Sequence, residues 1–162
     1  MLVVYIASHL SYLQDPWSSP ERFWARLVEM YVRTEDFGLV AGWSGSTMIG
    51  YAFGSVRSDA RRIWDTVAQA LPDVSVPSGI APVYIFREFA VHPDHQGRGH
   101  GRTLHNTLLG TRGERLAHLL VRTHNERARR AYSSWGWRAI VQVRPFDVGP
   151  LTDAMVRELP IS

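Results

Sequence analysis

The chain contains no cysteine and no lysine. Without cysteine there are no disulfides, no thiolate metal ligands and no cysteine nucleophile. Without lysine there is no lysine general base, no Schiff-base chemistry and no P-loop lysine for a nucleotide phosphate. All 18 basic residues are arginine. No apolar run approaches the ~20 residues that cross a bilayer. The N-terminal MLVVYIASHL has an apolar core, but neither the basic lead-in nor the small-residue cleavage site of a signal peptide. The expectation is therefore a cytoplasmic protein with no membrane partner. No basic run is interleaved with aromatics, and the formal charge of +3 is mild, so no nucleic-acid partner is expected. Seven histidines are present, with His92 and His95 close together. Zinc needs three or four converging ligands, and no metal site is expected from this set.

What is present suits one compact domain over residues 1–162: 45% apolar residues, 20% charged, six tryptophans and six phenylalanines. No repeat, low-complexity tract or linker interrupts it. Residues 2–13 carry apolar side chains at spacings that fit either a short strand and a turn or one helix. DPWSSP reads as a loop. A helix follows, with Ser19 as its cap, Pro20 in its first position, Glu21 in its first turn, and Phe23, Leu27, Met30 and Tyr31 on one face. FGLVAGW and TMIGYAFGSV, joined by SGS, read as an antiparallel strand pair. SDARRIWDTVAQAL reads as a helix inside a long connection, 57–82, which either shapes a binding site or decorates the fold.

VYIFREFAV, 83–91, is apolar on both faces apart from Arg87 and Glu88, the pattern of a central covered strand. Then come a glycine-rich turn, a helix over RTLHNTLL, a strand over LAHLLVRT, a helix over NERARRAYSSW, and strands over WRAIVQV and AMVREL. This order implies an α/β fold with parallel pairing at its centre.

HQGRGHG, 95–101, holds Gly97, Gly99 and Gly101 directly after the buried strand. A strand that enters such a turn and then opens a helix aims several backbone N–H groups, at the positive end of a helix dipole, toward one point. Glycine lets an anion reach those amides and permits positive φ. Arg98 and Arg102 add charge. A P-loop is excluded by the missing lysine, and a dinucleotide fingerprint by the glycine spacing. A third signature, Gln/Arg-x-x-Gly-x-Gly/Ala, is met by Gln96, Gly97, Arg98, Gly99, His100 and Gly101. VHPDHQGRGHGRTLHNTLL closely resembles the acetyl-CoA pyrophosphate motif of the GCN5-related N-acetyltransferases (GNAT). Downstream, Asn125, Ala128, Tyr132, Gly136 and Trp137 resemble the second motif of that superfamily, with tryptophan in place of the usual phenylalanine.

The resemblance is strong over about 83–140, moderate over 38–56 and weak elsewhere. It implies a mixed, mostly antiparallel sheet with a central parallel splayed strand pair, flanked by helices. Family members usually begin with a strand before the first helix, and here there is room for only one of the two before DPW. The implied activity is acetyl transfer from acetyl-CoA to a primary amine of a small molecule or peptide, by direct attack in a ternary complex. An amine with a pKa near ~10 is almost wholly protonated at neutral pH, so a base is useful. The resemblance places that base at Glu88. The other reading is a purely structural pairing of Glu88 with Arg87 or with another arginine, and the Arg87 version is weakened because neighbouring strand residues face opposite ways.

The resemblance also implies that the backbone N–H groups of Phe89, Ala90 and Val91 meet the thioester oxygen and the pantetheine arm. Residues 96–102, from Gln96 to Arg102, would hold the pyrophosphate. Tyr132 would give a proton to the departing sulfur, or else simply pack on its helix face. Asn125 reads as an N-cap and, by the resemblance, as a contact to pantetheine. Arg129 and Arg130 either meet CoA phosphates or face solvent. Trp17, Trp64, Asp65 and Tyr84 are candidates for the acceptor side, set against the tendency of tryptophans to be core. A second reading is a non-catalytic acyl-CoA binding or sensing domain. A homodimer is an assembly the resemblance leaves open.

Overall fold

The structure is a computed structural model describing residues 1–145 and 149–161. Its elements are α1 (Leu2–Ser8), α2 (Pro20–Ala25), β1 (Gly38–Ser44), β2 (Thr47–Arg57), α3 (Arg61–Ala70), β3 (Val83–Val91), α4 (His100–Gly110), β4 (Leu116–Arg122), α5 (Glu126–Ser134), β5 (Arg138–Val143) and β6 (Thr152–Glu158). The strands form a six-stranded sheet in the order β1-β2-β3-β4-β6-β5. β1–β2, β4–β6 and β5–β6 are antiparallel, while β3 and β4 run parallel, with Tyr84 opposite Ala117 and Ile85 opposite His118. This is the mixed, mostly antiparallel sheet with a central parallel pair that the sequence implies.

The ambiguous N-terminal segment is helical from Leu2 to Ser8, so the chain opens on a helix and not on a strand. Val4 and Tyr5 are the residues it buries. The Ser19 hydroxyl accepts from the Arg22 N–H at 3.3 Å and starts α2 as the sequence predicts. Beyond Ala25 the helix loosens into a π turn over Arg26–Tyr31, with the Val32 N–H reaching back to the Leu27 carbonyl at 2.9 Å. Gly45, at φ 59°, closes the β1–β2 hairpin.

The chain divides into two compact units. The first, residues 1–56 and 86–111, is built on an aromatic cluster of Tyr5, Phe23, Tyr51 and Phe53 with Val4, Leu27 and Ala90. The Tyr5 and Phe23 rings stack at 3.9 Å. Here Gly50 is dictated by packing: a Cβ on it would lie 2.9 Å from the Ala90 carbonyl oxygen and 2.8 Å from a Leu104 methyl. Its absence lets β2, β3 and α4 approach.

The second unit, residues 57–85 and 112–161 as described, has its own core. α3 lays Trp64 and Val67 against Val83, Ile85, Leu116 and Val156, and Leu71 and Val74 extend the cluster. The long connection 57–82 is thus a structural part of this core. Each fully buried aliphatic side chain there contributes on the order of 1.5–3 kcal/mol.

Candidate active site

In the first unit β3 ends at Val91, and His92 caps a single turn over Pro93–His95 before the glycine segment. The Gln96 side-chain amide donates to the Val91 carbonyl at 2.8 Å. Gln96 therefore fixes the exit of the strand with its side chain and leaves anion contact to the main chain. Gly97 and Gly99 have φ of 74° and 85°, the left-handed region that side chains resist. A Cβ on either would meet no atom within 4 Å. Crowding by the protein does not require these glycines, whereas backbone shape does.

α4 begins at His100 with Gly99 as its cap, and its first bond runs from the Thr103 N–H to the Gly99 carbonyl at 3.1 Å. The N–H groups of His100, Gly101 and Arg102 precede that ladder and face outward from the helix start. Arg98 and Arg102 are exposed and hold no ion pair among the described residues. Amides, dipole and two guanidinium groups make this a fit for a diphosphate. Phe89, Ala90 and Val91 lie beyond the paired stretch Tyr84–Ile85 of the parallel ladder.

Glu88 is partly buried, and its Oε1 lies 3.7 Å from His9 Nε2. The Arg87 side chain meets Tyr31 and Ser55. Its guanidinium lies 5.1 Å above the Tyr31 ring and donates to the Ser55 hydroxyl at 3.3 Å. Phe86 meanwhile touches both His105 and Phe89. The Arg87 and Glu88 side chains each lie near a residue of the N-terminal helical segment, Tyr31 and His9 respectively.

Tyr51, on β2, is fully buried, and its hydroxyl has no hydrogen-bond partner among the described residues. Burial pushes the Tyr51 phenol far above its ordinary range, and the Glu88 carboxylate and Tyr5 push in the same direction. Tyr51 is therefore neutral at any physiological pH. Neither His9 nor Tyr51 belongs to a sequence motif, and nothing local in the sequence points to them.

In the second unit Asn125 caps α5, accepting from the Ala128 N–H at 3.1 Å. Tyr132 is buried, with its ring edge-on to Trp135 at 5.8 Å and to Trp137 at 6.0 Å. The packing role weighed for Tyr132 is thus present, and Trp137 is one of its supports. Arg129 is bound to the buried Asp153 and to the Thr123 carbonyl, and Arg130 pairs with Glu126 one helical turn away.

Trp64 and Tyr84, weighed as acceptor-side residues, are core. Trp64 donates from Nε1 to the Ala81 carbonyl at 2.9 Å, and Tyr84 is fully buried under the Arg112 guanidinium. A cavity of about 260 Å³ in this unit is lined by Leu71, Val74, Leu116, Arg138 and Val156 among others, and Gly136 of the second motif also lies on its wall. Among the described residues no group of three or more histidines and carboxylates is placed to hold a metal, and no helix is long and apolar enough to cross a membrane.

The model of the acetyltransferase (GNAT) family matches residues 6–137. No curated protein matches the chain. Solved structures with a similar fold include a protein of Pyrococcus horikoshii OT3, at TM-score 0.65 and 20% identity over 98% of this chain and 88% of that one. The PaiA N-acetyltransferase of Thermoplasma acidophilum, solved with coenzyme A, matches at TM-score 0.61 and 14% identity over 98% of this chain and 90% of its own. The ribosomal-protein-S18-alanine N-acetyltransferase of Escherichia coli matches at 0.55 and 24% over 89% and 77%. With the family model spanning both motifs and most of the sequence, the chain belongs to the GNAT acetyltransferase family.

Proposed function

We propose that residues 1–162 form one N-acetyltransferase domain that moves an acetyl group from acetyl-CoA to a primary amine of a small molecule or peptide. The observation that carries this is the glycine turn, Gly97 and Gly99 at positive φ opening α4, with its amides and Arg98 and Arg102 free to meet a diphosphate. Related folds supply the class of donor and acceptor: one was solved with coenzyme A, and another is named for acetylating the alanine of a ribosomal protein.

Bound acetyl-CoA supplies a thioester whose C–S bond breaks as a C–N bond to the amine forms. Glu88 takes the proton the attacking amine must lose. The N–H groups of Phe89, Ala90 and Val91 steady negative charge on the acyl oxygen. Tyr132 gives a proton to the departing sulfur, a minor aid because a thiol with a pKa near ~8.5 leaves readily. Asn125 holds the start of α5 and is offered as a polar contact to the pantetheine arm.

The test is an acceptor screen with acetyl-CoA and benzylamine, spermidine and a peptide with a free N-terminus, read by thiol release and product mass. Release of one thiol per acetylated amine supports the proposal. Acetyl-CoA binding without turnover across a wide amine panel would support a non-catalytic acyl-CoA binding domain instead.

A further inference from the structure

We infer that His9 and Glu88 form a proton-sharing pair in which His9 is a positioning residue for Glu88. The inference rests on the reading of Glu88 as the base and extends it to a residue that no motif contains. His9 closes α1, and its ring stacks on Tyr5 at 4.2 Å. Its Nδ1 lies 2.9 Å from the Tyr5 carbonyl oxygen. A carbonyl only accepts, so Nδ1 carries a hydrogen and donates. The Ser8 hydroxyl is consistent with this, since it gives its own hydrogen to the same carbonyl at 3.1 Å and stands 2.9 Å from Nδ1 as an acceptor.

With Nδ1 protonated, the neutral ring presents only a lone pair at Nε2, and that lone pair faces Glu88 Oε1 at 3.7 Å. Two acceptors so placed repel unless a proton lies on one of them. The pair therefore has an open place for one proton between Nε2 and Oε1. A proton released by an amine onto Glu88 is stabilised there by transfer to Nε2, with no change in Nδ1.

The groups around the pair fit this role. Tyr51 and Tyr5 are phenols. The Tyr51 hydroxyl stays neutral, and the Tyr5 hydroxyl donates to the Ser18 carbonyl at 3.0 Å. Arg87 is directed to Tyr31 and Ser55. The stack on Tyr5 and the bond to its carbonyl fix the ring, so the carboxylate meets Nε2 in one orientation.

The test needs no acceptor in its first arm. Imidazole ¹⁵N spectra of the full chain, assigned with His9→Gln, are expected to show His9 protonated at Nδ1 when neutral. The Nε2 resonance should change in Glu88→Gln, and the Nδ1 resonance should stay nearly still. An Nε2–H neutral tautomer, or an Nε2 signal indifferent to Glu88→Gln, would overturn the pair.

The second arm measures thiol release with the amine panel above. Glu88→Gln is expected to lower kcat by about 100-fold or more and His9→Gln by about 10-fold, with the KM for acetyl-CoA unchanged. The double variant should be no slower than Glu88→Gln, because the two act as one unit. Thermal unfolding of His9→Gln close to that of the parent separates positioning from loss of fold. Slow Glu88→Gln with fast His9→Gln overturns this inference and leaves the base assignment standing. Unchanged turnover in Glu88→Gln overturns the base assignment, whatever the spectra show.

Discussion

In the first unit Arg98 and Arg102 stand exposed at the start of α4 without ion pairs among the described residues, beside Gly97 and Gly99, at which an added Cβ would meet no atom within 4 Å. In the second unit Arg112 grips Glu114 with two bonds, at 2.7 and 3.1 Å, Arg129 holds Asp153, and Arg138 grips Asp73 at 2.6 and 2.7 Å. The same residue type is left available in one place and tied down in the other. Guanidinium groups tied to carboxylates fix strands and loops, whereas groups left beside unladdered amides suit a multivalent anion. The difference explains why Arg129, close to a family motif in sequence, is a poor candidate for a phosphate contact.

That contrast can be broken first at the cradle. Gly99→Val places a β-branched side chain at φ 85° and in front of the amides. Affinity for acetyl-CoA is expected to fall by about 10- to 100-fold in a binding titration, against a loss of stability of about 1–2 kcal/mol from the strain. Arg129→Leu should do the reverse. With its guanidinium gone, Asp153 keeps the Gln142 amide at 2.9 Å but loses its charge partner. Because Arg129 is itself half-exposed, the expected cost is about 1–2 kcal/mol in denaturant unfolding, discounted from that of a fully buried pair. Acetyl-CoA affinity should be unchanged.

Tyr132→Phe keeps the contacts with Trp135 and Trp137 and removes only the hydroxyl. Turnover is expected to drop by less than about 10-fold, with a normal melting temperature, because the leaving thiol needs little help. Loss of stability with unchanged kcat would leave Tyr132 as a packing residue alone.

The smallest effect concerns Glu114. Burial is the largest influence and works to raise the Glu114 carboxyl, but the hydrogen bonds from Arg112 and from the Glu114 and Gly113 backbone N–H groups, with the Arg112 charge, together outweigh it and hold the group below the usual carboxylate range. A depressed folded-state value means stability that is present above the unfolded pKa of ~4.3 and lost as pH falls through the folded value. Glu114→Gln should therefore be less stable than the parent near pH 7, and the two unfolding curves should converge in acid. A gap that persists at low pH would assign the effect to packing and not to charge.

What was legible in the sequence was local. Gly97 and Gly99 announce positive φ because only glycine adopts it cheaply, Ser19 and Asn125 announce caps, and β3 runs over the predicted 83–91 because its apolar stretch ends at His92-Pro93. Residues 2–6 are all apolar, which fits a helix or a strand equally, and packing of Tyr5 on Phe23 settled it. His9 and Tyr51 were out of reach because only the fold relates them to Glu88, His9 by an approach of 3.7 Å and Tyr51 through the charge of the carboxylate.

The account stands on the glycine turn as a diphosphate cradle. Calorimetric titration of the full chain with acetyl-CoA and with S-acetylpantetheine, which carries the same thioester and arm without the diphosphate, tests it directly. One acetyl-CoA should bind per chain, with S-acetylpantetheine at least about 100-fold weaker. Equal affinity for the two would show that the cradle contributes nothing and would contradict the account.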